Sequence, residues 1–368
     1  MYDEVCLFQS FPSSFTSLSA EARRLNFRKN KGRVKEEGRK VKQNFMKTKS
    51  SNKYLHKASQ AKFDDFYTQL ADIERELSHY KDRFKNKVVF CNCDDPRVSN
   101  FFHYFSYNFE FLGLKKLITT CYKNQQLDLF SQNKSEKAIY LEYTGDKNRN
   151  KVPDSNEIGI KHLKGDGDFR SKECIELLNQ SDIVVTNPPF SLFREYLAQL
   201  IEYNKKFIII GPLNAITYKE IFKLIKDNKL WLGYGFNGGN AYFKTPYPKE
   251  FADGVYNKET GLVKFRNVTW FTNLEIQKRH EDLTFYKAYK GNEKDYLKYD
   301  NYNAINVDKT KDIPEDYTGA MGVPISFLDK YNPEQFEIIK FRKGNDDKDL
   351  AINGKYTYFR IIIKNKKV

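Results

Sequence analysis

The sequence predicts an α/β protein built on a mostly parallel sheet with helices on both faces. Two observations carry this. Apolar runs of strand length alternate with segments whose apolar residues recur every three or four positions, the rhythm of strand–helix–strand units. The motifs that break this rhythm all fall just after strands, and in open α/β sheets that rim is where ligands bind.

Taken in order, Phe63, Phe66, Tyr67, Leu70, Ile73 and Leu77 predict a helix over 58–84. Lys87–Cys91 reads as the first strand and runs into Asp94-Asp95-Pro96. An aromatic helix follows through Phe101, Phe102, Phe105, Phe109 and Leu112, with Gly113 as its stop. Lys116–Cys121 is a second strand. A third short strand is expected to end at Gly165-Asp166-Gly167-Asp168-Phe169, followed by a helix through Cys174–Leu178. Asp182–Val185 is a buried strand and stops at Asn187-Pro188-Pro189-Phe190. A helix from about Ser191, a strand at Phe207–Ile210, a helix at Tyr218–Lys226 and strands at Leu230–Leu232 and Val268–Thr272 complete the pattern. The organisation expected is a basic tail over 1–45, a sheet domain over 46–272, and a smaller α+β region over 273–368.

The chain has 368 residues and a formal net charge of +15, which suits a polyanionic partner. The 5 cysteines are scattered, and Cys91-Asn92-Cys93 has no second Cys/His pair at zinc spacing. Reduced thiols, no metal and a cytoplasmic setting are therefore expected. The longest apolar runs are of strand length, far short of a membrane-spanning helix.

Residues 187–190 carry the chemistry. Two prolines remove two backbone donors and fix two φ angles, so this turn is stiff. An exocyclic amine of a nucleobase is a poor nucleophile, because its lone pair is delocalised into the ring. The Asn187 amide oxygen and the Pro188 carbonyl, each accepting one N–H, would localise that lone pair. Pro189 stiffens the turn, and the Phe190 ring would stack on a base withdrawn from its helix. With a sulfonium methyl donor no tuned general base is required; positioning does the work. For the donor, Asp94, Asp95 and Pro96 end the first strand, with Ser99-Asn100 where glycines are usual. Asp168 and Phe169 suit an adenine ring, and Phe66, Tyr67 and Thr68 suit a sulfonium. An Asn-Pro-Pro-aromatic turn equally suits methylation of RNA adenine or of a protein glutamine, and a silent nucleic-acid-binding relative could keep the fold. The basic charge disfavours a protein substrate, and the intact Asn187 turn disfavours silence.

Several blocks together resemble the EcoRI-type adenine-specific DNA methyltransferases. They are Asp64-Asp65-Phe66-Tyr67-Thr68-Gln69, Val88 to Pro96, Gly167 to Ser171, Thr186 to Phe190, Asn214 to Glu220, Thr269 to Asn273 and Met321 to Leu328. The likeness runs from about residue 50 to the C-terminus. It implies a Rossmann-like class I methyltransferase sheet with a smaller C-terminal target-recognition region. It also implies S-adenosyl-L-methionine as cofactor, double-stranded DNA methylated at adenine N6 as substrate, and, unless the enzyme is solitary, a cognate restriction endonuclease. By the same resemblance Phe66, Tyr67 and Thr68 meet the methionine side of the cofactor, Asp94, Asp95 and Pro96 form its first loop, and Asp168 and Phe169 meet its adenine. Asn187, Pro188, Pro189 and Phe190 form the catalytic loop. The chain departs from the family pattern where Thr119-Thr120-Cys121-Tyr122 replaces an acidic residue, and where Gly211-Pro212-Leu213 precedes Asn214.

Overall fold

The computed structural model describes residues 66–93, 99–121, 138–150, 153, 157–245, 254–342 and 350–368, all within one compact unit, Leu55–Val368. The basic tail and Asp94, Asp95 and Pro96 lie outside the described residues.

In chain order the elements are β1 (Tyr67–Thr68), α1 (Leu70–Leu77), β2 (Val88–Asn92), α2 (Asn100–Tyr107), α3 (Phe109–Leu112), β3 (Lys116–Thr120), β4 (Ile139–Tyr143) and β5 (Gly159–His162). Then come α4 (Lys172–Gln180), β6 (Ile183–Thr186), α5 (Phe193–Glu202), β7 (Lys206–Pro212), α6 (Lys219–Lys226), β8 (Trp231–Leu232), β9 (Ala241–Lys244), β10 (Tyr256–Asn257), β11 (Leu262–Phe265) and β12 (Val268–Thr272). The C-terminal part adds β13 (Ile305–Asn306), β14 (Ala320–Val323), β15 (Phe336–Arg342), β16 (Ala351–Ile352), β17 (Lys355–Tyr356) and β18 (Arg360–Asn365).

The main sheet has the order β5-β4-β3-β2-β6-β7-β12-β8. Its centre is parallel, β3 to β2 to β6 to β7, so Asn92, Thr120, Thr186 and Pro212 end on one rim. β2 and β6 are buried at every residue, which is why they read as unbroken apolar runs. One face packs Ile73, Leu77, Phe101 and Phe105 over Val89, Val185 and Ile208. The other packs Leu178, Tyr196, Leu200 and Ile221 over Phe90, Val184 and Phe207. That second layer continues into the C-terminal sheet β13-β14-β18-β15 through Ile305, Met321, Phe336 and Ile361. Phe222 of α6 meets Phe341 of β15, their rings 5.1 Å apart.

Four expectations need correction. The main sheet is mixed and not mostly parallel: only its centre is parallel, while β5-β4, β4-β3, β7-β12 and β12-β8 pair antiparallel. The helix expected over 58–84 is interrupted: Tyr67 and Thr68 are extended and pair with Lys244 and Phe243, and α1 begins only at Leu70. Tertiary pairing outweighs the helical spacing there. The aromatic helix breaks at Asn108 into α2 and α3, although Gly113 does end it with φ +61°. In place of a third short strand ending at Gly165–Phe169 stands an antiparallel hairpin, β4 and β5, paired to β3. A further antiparallel sheet, β1-β9-β11-β10, lies beyond what the periodicity indicates.

Candidate active site

Asn187 follows β6 directly, and its side chain is buried. Its Nδ2 donates to the carbonyl of Phe66 at 2.6 Å. A carbonyl only accepts, so this bond settles which way the amide faces. The Oδ1 then points away from that anchor, buried and with no hydrogen-bond partner. Pro188 is buried as well. Pro189 accepts at its carbonyl from Leu192 N at 3.0 Å, a bond that closes the turn into α5. The Phe190 ring lies 6.0 Å from Phe66 and 6.3 Å from Phe243, and only 9% of the residue is exposed. It is part of an aromatic cluster before any base arrives.

The rim is braced from below by Asn92. The Tyr196 hydroxyl donates to Asn92 Oδ1, and the Thr186 hydroxyl donates to the Asn92 carbonyl. Together these bonds lock the ends of β2 and β6 to α5. Asn100, at the start of α2, donates from Nδ2 to the Thr68 carbonyl at 2.6 Å. It stands where a glycine-rich turn was expected and instead ties β1 to the sheet. β1 is thus held by Asn187 at Phe66, by Asn100 at Thr68, and by β9 along its length.

Asp168 and Phe169 reach the same rim through Gly167. That glycine has φ +79°, and a Cβ there would lie 2.2 Å from the Cys121 carbonyl oxygen. Only glycine permits so close an approach to the end of β3. Arg170 clasps the Asp168 carboxylate with Nε at 2.9 Å and a terminal nitrogen at 2.7 Å. Those hydrogen bonds hold the acid below its ordinary pKa, so it stays charged. Ser171 caps α4, accepting from Cys174 N at 3.3 Å, which leaves Asp168 free of any capping role. Phe169 packs edge-on to Tyr196 at 5.1 Å.

Several buried polar atoms around this rim have no partner: Thr68 Oγ1, Gln69 Nε2, Thr119 Oγ1, Thr120 Oγ1 and Asn187 Oδ1. Buried polar atoms are nearly always matched, so unmatched ones on segments that meet at this rim are candidates for contact with a polar ligand. Among the described residues no group of three His, Cys, Asp or Glu could hold a metal. No helix there is long and apolar enough to cross a membrane.

Sequence reading placed Asn100 near the donor loop without its tie to Thr68, and missed Asn92, Phe243 and Phe265, whose ring lies 4.9 Å from Phe66. Asn92 was legible as a polar residue closing an apolar strand. Phe243 and Phe265 lie in β9 and β11, whose pairing with β1 no local pattern announces. Of the cationic C-terminal run, Lys278 donates to the Gly233 carbonyl at 3.0 Å, Arg279 lies 3.8 Å over Trp231, and His280 bonds Glu275 and Glu334. The Lys278 and Arg279 side chains are tied into the fold, while His280 is exposed and paired at the surface.

A large mixed sheet whose parallel central strands end on one rim fits the class of α/β methyltransferases. The family model described as adenine-specific methyltransferase EcoRI matches residues 54–366. The chain belongs to that EcoRI-type family and is a site-specific DNA methyltransferase acting on adenine. The type II methyltransferase M.EcoRI of Escherichia coli is 55% identical over 326 residues, which is 88% of this chain and 99% of that protein. M.MgeORF184P of Mycoplasma genitalium is 38% identical, covering 86% of this chain and 99% of the relative. M.MpnI of Mycoplasma pneumoniae is 36% identical, covering 85% and 98%. No solved structure matches.

Proposed function

We propose that the enzyme transfers a methyl group from S-adenosyl-L-methionine to N6 of adenine in double-stranded DNA, with Asn187 as the residue that aims the amine. The observation that carries this reading is the tethered amide: Asn187 Nδ2 is committed to Phe66, while Oδ1 is buried and unmatched. An adenine amino group reaching that oxygen donates one N–H to it. The Pro188 carbonyl takes the other, and the nitrogen lone pair is left turned toward the donor side. Phe190 supplies the aromatic surface beside the withdrawn base. The tether means that little reorganisation is needed when the base arrives, and preorganisation is the main source of rate in such a site.

The residues around the rim fit S-adenosyl-L-methionine, whose amino, carboxylate and ribose groups need several donors and acceptors at once. Phe66, Tyr67 and Thr68 would hold its methionine end, and the unmatched Thr68 hydroxyl and Gln69 amide are available to it. Asp94, Asp95 and Pro96 would form the loop after β2. Asp168 and Phe169 would meet the adenine. The Thr119 and Thr120 hydroxyls are the polar groups where an acidic residue is usual. When bound, the cofactor supplies a methyl carbon made electrophilic by the sulfonium.

On this reading the sheet domain, 46–272, is a Rossmann-like class I methyltransferase. Residues 273–368 form the target-recognition region, and 1–45 are a basic tail that adds phosphate contacts. The enzyme works in the cytoplasm, paired with a restriction endonuclease of the same site unless it is solitary. The test is labelled methyl transfer to duplex DNA, RNA and protein offered side by side, with sequencing for N6-methyladenine. Label confined to duplex DNA at one short motif is expected; label in RNA or protein, or scattered over DNA, overturns the reading.

A further inference from the structure

Glu76 lies on α1, outside the site described above, yet it is fully buried. Its carboxylate accepts the Tyr80 hydroxyl at 2.9 Å, the Tyr234 amide at 3.0 Å and the Gly235 amide at 3.0 Å. On the other side of the same turn, Lys278 Nζ donates to the Gly233 carbonyl at 3.0 Å. The turn is gripped by an anion at its donors and by a cation at its acceptor. It is also shaped for the grip: a Cβ on Gly233 would lie 2.1 Å from Glu76 Oε1, and Gly235 has φ +86°. The His79 ring stacks on Tyr234 with centroids 3.4 Å apart.

The turn leads straight to the active site. Phe236 stacks on Trp270 at 5.8 Å and meets Phe243 at 6.1 Å. Phe243 in turn lies 6.0 Å from Phe66 and 6.3 Å from Phe190. β9, which carries Phe243, pairs with β1, whose neighbour Phe66 provides the carbonyl that orients Asn187. The β1–α1 segment therefore holds the 233–243 segment at both ends, with Glu76 at the start and the Thr68–Phe243 pairing at the finish.

We propose that Glu76 is a positioning residue for methyl transfer: by fixing the 233–235 turn it sets the aromatic wall Phe236–Phe243 and, through it, the Phe66 carbonyl that aims Asn187. The catalytic part rests on the role given to Asn187; the grip on the turn does not. Burial raises the Glu76 carboxyl to about 7, so its charge changes near neutral pH. The groups that face it are Tyr80 from its own segment, Tyr234 from the turn and Lys278 from the C-terminal side, with Asp329 beyond Lys278. A protonated carboxyl gives up part of its grip on the two amides, so the wall loosens as pH falls.

The chain has 2 tryptophans, and Trp270 stacks on Phe236, so its emission reports the turn directly. In the full chain carrying Trp231→Phe, with His79→Gln added to remove the other nearby titrating ring, Trp270 emission should titrate near neutral pH. Glu76→Gln should abolish that transition. In single-turnover assays the wild-type rate should fall as pH drops through the same range, and Glu76→Gln should be at least about tenfold slower and flat there. Tyr80→Phe serves where Glu76→Gln does not fold: it removes a bond that favours the carboxylate, so both midpoints should move to higher pH. A Glu76→Gln enzyme with the wild-type rate and pH profile overturns the proposal, as does a Tyr80→Phe enzyme with unmoved midpoints. Emission that loses its transition while the rate is unchanged also overturns it, since the turn would then not serve the site. An active Asn187→Ala enzyme would sink the reading of Asn187 and leave the emission result standing.

Discussion

The Asn187 side chain donates to the Phe66 carbonyl at 2.6 Å across a sequence separation of 121 residues. That one bond joins the turn after β6 to the segment that the family resemblance gives to the methyl donor. It leaves Asn187 Oδ1 buried and unmatched.

Thr68→Val should stabilise the free protein and weaken its hold on S-adenosyl-L-methionine. The Thr68 hydroxyl is buried without a partner, a state that costs about 1–3 kcal/mol, and valine has nearly the same shape. Thermal unfolding with and without the cofactor checks both halves. A variant that is less stable and binds the cofactor normally would remove Thr68 from the site.

Gly167→Ala should destabilise by more than about 1 kcal/mol, because it combines a positive φ with a backbone clash. The Asp168–Phe169 turn would have to move away from β3, so cofactor affinity should fall with stability. Urea denaturation and calorimetry report the two. Unchanged affinity in a destabilised variant would place the adenine contact elsewhere.

Glu76 also sets a sign for stability against pH. Its folded value of about 7 stands above the ordinary 4.5, so between these values the folded protein binds a proton that the unfolded chain releases. The stability from this group is full below the lower value and is lost as pH rises through the upper one. Glu76→Gln lacks that slope. Urea midpoints measured from about pH 5 to 8 should show the wild type losing ground relative to the variant as pH rises. Parallel curves would contradict the raised value.

Among C-terminal cations, Lys309 and Lys311 are exposed, whereas Lys278 and Arg279 are tied into the fold. Alanine at Lys309 or Lys311 should lower the slope of log K against log salt for DNA binding by about 0.9 where a phosphate contact is lost. Arg279→Ala should instead lower stability, as it uncovers Trp231 and removes the guanidinium's bonds to Glu275 and Asn228. A normal unfolding midpoint for Arg279→Ala would refute that division.

Most of the central sheet was legible because β2, β6, β7 and β12 are locally unambiguous: short, apolar, and bounded by turns or helical periods. The turn after β6 was legible for the same reason, since two prolines end a buried strand. What stayed hidden depends on distant partners. β1 carries helical spacing yet is extended, because Lys244 and Phe243 pair with it. Glu76 reads as an ordinary exposed helix residue until Tyr234 and Gly235 fold over it. Lys278-Arg279-His280 reads as a basic patch until Gly233, Trp231 and Glu334 take up its side chains.

If Asn187 Oδ1 receives the target amine, removing that amide must slow methyl transfer itself. Methyl transfer by Asn187→Ala is followed in a single turnover, with saturating S-adenosyl-L-methionine and duplex DNA, while cofactor affinity is read separately by calorimetry. The expected rate is lower by about 10²–10³, the loss seen when a preorganised polar contact to the reacting group is removed, with cofactor affinity changed far less. A rate near that of the wild type, or a loss explained wholly by weaker cofactor binding, would contradict it.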